Sequence, residues 1–390
     1  MFKRFQNSIL TTFSVTSCIQ TISVYLYVLF MTHMSTAEEY ASYISITYIV
    51  DFAVTIALFG FNLLILREAN SYIKENIISI LASSFALSSV IYITWLTLNN
   101  NYATSNYVLC FILIILQYLY QLGTCLLIKF KRNTIAFANA IVNFLFVIST
   151  LTLLSHNHSL TCHNVLITRI AQLSIFVVIC YTFILNQILP IKIPTIRSFV
   201  NNFKYAIPIG GGSILGATIL FVDKLILSTQ TPNDIATYSV ARFEIPFIGI
   251  FITNLSLVYI PKIQAALKKN DLKDVRHSIK NLFLYGWYLN IIVFTLLFCN
   301  ANFIITTLYS ADYGEATILF QIITCTYILK VVPYTNIIIA LGIERIIIPR
   351  LFIEMVIQVC ASLLFLYLWG ITGLSEIVSW LHHSLQNIVW

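Results

Sequence analysis

Asp223 and Lys224 stand side by side in GATILFVDKLIL (216–227), a run otherwise almost wholly apolar. Arg169, Arg242 and Lys330 are likewise set among apolar neighbours. A charge at the centre of a membrane helix costs about 2.5–3.5 kcal/mol, so such residues face a cavity or a partner rather than lipid. Arginine offers a planar fork of donors and lysine a mobile point charge, a mixed set suited to holding and releasing an anion. The turn TQTPND (229–234) makes a hairpin of its two flanking runs. Counting from that turn puts Asp223 within one helical turn of Arg242, and Lys224 within about two turns of Glu244. The expectation is that Asp223 offsets Arg242 while Lys224 projects into a cavity. Two ion pairs that merely fix the hairpin are the alternative.

Other polar groups invite similar questions. Gln172 follows Arg169 by one turn, and Thr326, Tyr327 and Tyr334 flank Lys330 at helical spacing. For both cations, contact with a cavity stands against snorkelling or structural pairing. Asp51 sits on a polar stripe with Ser45, Tyr48, Thr55 and Asn62, with no basic residue a turn away. Unpaired, it suits a proton or sodium coupling site; hydrogen-bonded and neutral, it is structural. Gln117, Gln121 and Thr124, with Asn139 and Asn143, form polar faces able to bind sugar hydroxyls or neighbouring helices. Gly210, Gly211 and Gly212 after Pro208 read as a hinge or as a site of close helix packing. His156, His158, Cys162 and His163 cluster in SHNHSLTCHN, but their spacing fits no zinc pattern, and no metal or other cofactor is expected. Nucleotide-binding, hydrolase and metalloprotease patterns are missing, and the acidic residues are too scattered for a carboxylate pair. No catalytic residue is expected, and the chain reads as a non-enzyme.

The elements that must position these residues are membrane helices. Apolar residues make up 59% of the 390 and charged residues 9%, against about a quarter charged in a soluble domain. Repeated apolar runs long enough to cross a hydrocarbon core of roughly 30 Å indicate an all-α integral membrane protein. Twelve spans are expected, near 9–30, 41–66, 77–98, 107–128, 134–154, 164–185, 205–228, 235–260, 279–299, 316–338, 346–368 and 371–390. Eighteen of the 22 Lys and Arg then fall on one side, and the opposite loops hold none. By the positive-inside rule both termini are cytoplasmic, and the net charge of +7 reflects membrane topology rather than nucleic-acid binding.

A shift of 195 residues lays STAEEYASYIS (35–45) over QTPNDIATYSV (230–240), with Ala41-Ser42-Tyr43 on Ala236-Thr237-Tyr238. Six spans per half keep both halves in one orientation, as two pseudo-repeats around a central cavity. The expected division is 1–190 and 205–390, joined by a basic connector at 191–204.

YAIPIGGGSILGATILFVDKLILS, NDIATYSVARFEIPF and YIPKIQAALKKND, in order, resemble the second half of a Wzx-type O-antigen flippase, from the polysaccharide-exporter branch of the MOP flippase superfamily. EEYASYISITYIVDFAVTIALFGFNLLILRE is similar to the corresponding part of the first half, and LYSADYGEATILFQII and WGITGLSEIVSWL to late segments. The resemblance implies translocation of an undecaprenyl-pyrophosphate-linked oligosaccharide, an O-antigen or capsule repeat unit, across a bacterial inner membrane. Its partners would be that lipid, the surrounding membrane lipids, a polysaccharide polymerase and a chain-length regulator. Arg169, Lys224, Arg242 and Lys330 become the cationic lining for the pyrophosphate, supported by Asp223 and Glu244. The alternatives are a drug or cation antiporter of the same superfamily and a polytopic polysaccharide polymerase. The antiporter expects an acidic or aromatic cavity, and the polymerase a large external loop.

Overall fold

The computed structural model describes residues 2–67, 70–98, 104–130, 132–157, 159–188, 196–242, 259–260, 262–267, 269–329, 337–338, 341 and 346–387. Among them every regular element is helical. The helices are α1 (Phe2–Met34), α2 (Ala37–Leu58), α3 (Phe61–Arg67), α4 (Asn70–Leu98), α5 (Thr104–Lys129), α6 (Asn133–His156), α7 (Cys162–Ile188), α8 (Ile196–Leu227) and α9 (Pro232–Ala241). They continue as α10 (Leu272–Cys299), α11 (Ala301–Leu308), α12 (Ala316–Leu329) and α13 (Ile347–Asn387), with a 3-10 turn at Ala311–Tyr313.

Eight of these are long and apolar enough to cross a membrane among the described residues, and Cys18–Met34 and Ala316–Thr326 are shorter apolar stretches. The predicted second span is not one helix. Phe59 (φ 44°) and Gly60 (φ 73°) take left-handed backbone and separate α2 from α3. That conformation is steric strain for phenylalanine and ordinary for glycine. Gly370 (φ 64°, ψ −146°) breaks α13 at the junction predicted between the eleventh and twelfth spans. Of the predicted eighth span, α9 ends at Ala241 and residues 243–258 lie outside the described set. The tenth is described to Leu329, and beyond that only at 337–338. The segment 300–315, predicted as an external loop, contains α11, whose Ala301 and Ile305 are buried one turn apart, with Tyr309 buried just beyond its end. Close by, burial with Asp312 alongside pushes the Tyr313 phenol up to about 12, so it anchors this segment as a neutral group.

The chain forms two compact units, Met1–Phe221 and Val222–Trp390. In the first, α5 packs along α7 and α1 along α6, while α2 meets α4, α5 and α7. Seventy-two per cent of the apolar window of α2 is buried, against 11–33% in the other seven long spans, so α2 is the core helix. In the second unit α12 packs on α9, α10 and α13.

Two capping turns carry the internal repeat into three dimensions. Thr36 (φ −75°, ψ 158°) begins α2 and its hydroxyl accepts the Glu39 amide; Thr231 (φ −66°, ψ 151°) begins α9 and accepts the Asp234 amide. Both pairs are 195 residues apart, the offset read from the sequence. A threonine at this position satisfies one of the orphan donors of the first turn and fixes where the helix starts. Tyr43 and Tyr238, also 195 apart, are both fully buried. Glu39 additionally accepts the Cys162 amide, tying the start of α2 to the start of α7.

Candidate functional site

In the first unit Arg169 of α7 is 3% exposed and reaches α2. One of its guanidinium nitrogens donates to Thr47 Oγ1 at 3.1 Å. That hydroxyl donates in turn to the Tyr43 carbonyl of its own helix, at 3.0 Å, which leaves its lone pairs toward the arginine. The other terminal nitrogen lies 3.9 Å from Asp51 Oδ1, an ion pair beyond hydrogen-bond distance. Thr47 and Asp51 sit one turn apart on α2, so a single guanidinium spans both. Asp51 is therefore not the unpaired carboxyl expected from its own helix: its partner comes from α7. Beside this group the Tyr27 hydroxyl donates to Gln172 Oε1 at 2.9 Å, linking α1 to α7.

Arg169 and Gln172 also line a cavity of about 630 Å³ within this unit, bounded by α1, α3, α5, α6 and α7. Gln117, Gln121 and Thr124 enter from α5 and Asn143 from α6, so one space collects the polar faces expected of four predicted spans. Asn139 is used differently, donating to the Phe176 carbonyl and to Cys180 Sγ between α6 and α7. Gln20 of α1 and Asn62 of α3 complete the amides. Among the described residues lining the cavity none is acidic, and Arg169 is the one basic side chain.

The second unit carries the other ion pair. Arg242 caps the end of α9, and its guanidinium lies 2.6 Å from Asp223 Oδ2. Tyr238 donates its hydroxyl to the same oxygen at 2.8 Å, and Arg242 donates to the Tyr238 hydroxyl at 3.4 Å. The hairpin register read from the sequence thus brings Asp223 to Arg242, with a tyrosine closing the triangle. Asp223 is fully buried, and its Oδ1 has no hydrogen-bond partner among the described residues. Lys224 is half-buried on the next position of α8. Lys330 and Glu244 lie outside the described residues.

α8 is continuous through Gly210, Gly211 and Gly212. A Cβ at Gly210 would stand 2.6 Å from three carbons of the Phe59 ring, whereas nothing lies within 4 Å of one at Gly211 or Gly212. Close approach therefore accounts for Gly210 and leaves the other two free for another role. Gly210→Ala is expected to destabilise by about 1–3 kcal/mol through overpacking against a buried ring. Gly211→Ala or Gly212→Ala should stabilise the helix by roughly 0.5–1 kcal/mol each. Opposite shifts of the unfolding temperature in detergent check this, and equal shifts would contradict it.

Two polar groups at the 155–163 turn are held by other parts of the chain. His163 Nδ1 contacts Asn106 Oδ1 at 3.2 Å, and the Cys162 amide is held by Glu39. His158 lies outside the described residues.

Sequence reasoning missed the buried tyrosines 27, 43 and 238 as parts of these sites. The signal was present for two of them, since Tyr43 and Tyr238 fall together in the 195-residue alignment.

No family profile and no curated protein matches the chain. Solved structures do. The lipid II flippase MurJ in an inward closed conformation aligns with TM-score 0.69 at 16% identity, over 97% of this chain and 86% of its own. An inward-facing multidrug resistance MATE family transporter of the MOP superfamily aligns with TM-score 0.65 at 12% identity, over 95% and 92%. The fold is that of the MOP superfamily transporters. A further MOP superfamily transporter, from Pyrococcus furiosus, gives 0.55 at 11% identity over 97% and 93%, and it was described as having a binding pocket of reversed polarity. Within this fold the chain is a multi-pass membrane protein.

Proposed function

We propose that this chain is a flippase that carries an undecaprenyl-pyrophosphate-linked oligosaccharide, an O-antigen or capsule repeat unit, across a bacterial inner membrane by alternating access. The observation that carries the reading is the cavity of the first unit, whose largely apolar wall carries amides, hydroxyls and one arginine and, among its described residues, no carboxylate. Polar side chains buried at membrane depth are costly unless they meet water or a hydrogen-bonding ligand. Amides donate and accept at once, as sugar hydroxyls do, whereas an organic cation is best held by acidic groups. One protein of the same fold, MurJ, is named for a lipid-linked substrate.

In this reading Lys224, Lys330 and Arg242 serve the pyrophosphate, Arg242 with its charge shared with Asp223, while Arg169, its charge shared with Asp51, faces the sugar. Asp51 remains the candidate for ion coupling, now as a group whose protonation would release Arg169. Gly211 and Gly212 are the hinge candidates, in halves 1–190 and 205–390 joined by the basic connector, with both termini cytoplasmic. A polymerase and a chain-length regulator are the expected protein partners.

Deletion of the gene in its host, followed by extraction of undecaprenyl-linked sugars, tests the proposal. The expected result is accumulation of one complete pyrophosphate-linked repeat unit with loss of surface glycan. An unchanged pool with intact glycan, once redundant exporters are removed, would leave the drug or cation antiporter, which shares this fold, as the better reading.

A further inference from the structure

Arg169 meets two demands at once. It lines the polar cavity, and its guanidinium is held from behind by Thr47 Oγ1 and Asp51, neither of which lines that cavity. The charge it presents to the cavity is therefore compensated by a carboxylate a few ångströms away. The cavity volume of about 630 Å³ falls within the range of roughly 300–1,000 Å³ usual for small-ligand pockets. Six amide side chains reach it, from Gln20, Asn62, Gln117, Gln121, Asn143 and Gln172. The Gln20 amide nitrogen is buried without a hydrogen-bond partner among the described residues. A buried donor of this kind signals a ligand group or water that completes it. Tyr25 and Tyr120 add ring surface against which the C–H face of a pyranose can lie.

We propose that this cavity binds the sugar part of the cargo, that it prefers sugars without negative charge, and that Asp51 sets this preference through Arg169. The proposal rests on the flippase reading and adds the class of glycan. An acidic sugar entering the cavity must shed its hydration shell. With Asp51 ionised behind the arginine it meets the field of an ion pair rather than of a free cation, so the cost is poorly offset. A neutral sugar needs no counter-charge and is satisfied by the amides. Removing the Asp51 charge while keeping its shape frees the guanidinium for a carboxylate on the cargo. Asp51 is thus a specificity residue acting from outside the cavity wall.

The test uses the full chain in lipid nanodiscs, with maltotriose as a neutral probe and trigalacturonic acid as an acidic probe of equal length, titrated calorimetrically. Wild type is expected to bind maltotriose more tightly. Asp51→Asn is expected to shift the ratio of the two affinities toward the acidic probe by about tenfold or more. Asp51→Glu, which keeps the charge, should retain the wild-type ratio and so separates charge from misfolding. Gln121→Leu combined with Asn143→Leu should weaken maltotriose binding by about tenfold. Tighter binding of the acid by wild type, an unchanged ratio in Asp51→Asn, full maltotriose binding by the Gln121/Asn143 variant, or no binding of either probe would each overturn the proposal. All four leave the flippase reading standing, because that reading is judged by the lipid-linked pool in cells.

Discussion

Arg242→Ala is expected to lower the stability of the second unit by about 3–5 kcal/mol, the usual consequence of stripping one partner from a buried ion pair. The size follows from the environment of Asp223. Its carboxylate is fully buried, and the Oδ2 atom receives both the guanidinium at 2.6 Å and the Tyr238 hydroxyl at 2.8 Å. Without Arg242 the carboxylate keeps one neutral donor, and its other oxygen already has no hydrogen-bond partner among the described residues. Tyr238→Phe should cost less, about 1.5–3 kcal/mol, because it removes one hydrogen bond to a charged acceptor and leaves the ion pair. Asp223→Leu together with Arg242→Leu should recover much of the stability, since apolar side chains in place of both charges remove the desolvation penalty. Unfolding temperatures of the purified protein in detergent order these variants, read as relative shifts because such unfolding is seldom reversible. Equal unfolding temperatures for wild type and Arg242→Ala would show that the pair holds nothing.

Arg169→Ala is the substitution expected to change transport most. It removes the basic side chain of the polar cavity and also the tie from α7 to Thr47 and Asp51 on α2. Its structural cost should be smaller than that of Arg242→Ala, because Asp51 is 36% exposed at its side chain and water can take over part of the missing interaction. Export of lipid-linked sugar is expected to fall by at least about tenfold, the effect of removing one strong charge-assisted hydrogen bond at the step that limits transport. Arg169→Lys should restore folding better than export, since a lysine cannot span both partners of the guanidinium fork. Combining Asp51→Asn with Arg169→Gln should return the unfolding temperature close to wild type without returning export. Those two readouts, taken on the same membranes, separate a structural tie from a role in transport, and restored export in the double variant would remove Arg169 from the site.

Much of the architecture is legible in the chain because membrane helices declare themselves by apolar length, and hairpin register follows from a short turn. That is why Asp223 meets Arg242 where counting from TQTPND places them. The same counting gives nothing for Arg169, whose partners are 122 and 118 positions away, because no short turn links the two helices. Asp51 looks unpaired when only its own helix is considered. The pair becomes visible once α2 is packed against α7. Phe59-Gly60 is invisible for another reason. Leu-Phe-Gly-Phe continues an apolar run without a polar or proline signal, and one glycine within a helical pattern is commonly tolerated. Its break is fixed by packing instead, with the Phe59 ring pressed against Gly210. The α11 helix escapes because eight residues are too few for hydropathy to register as a span. The polar cavity is half legible. The amides of α5 and α6 and Arg169 with Gln172 read as polar faces, but only the packing of α1, α5, α6 and α7 shows that they share one space.

Reconstitution of the purified chain into vesicles that carry an undecaprenyl-pyrophosphate-linked oligosaccharide tests the flippase function most directly. The fraction of glycan open to an external glycosidase is followed over time, with Arg169→Ala for comparison. A flippase is expected to bring the protected glycan into reach of the enzyme, and the variant to do so far more slowly. Glycan that stays protected in wild-type vesicles, while the same vesicles take up an organic cation, would contradict that function.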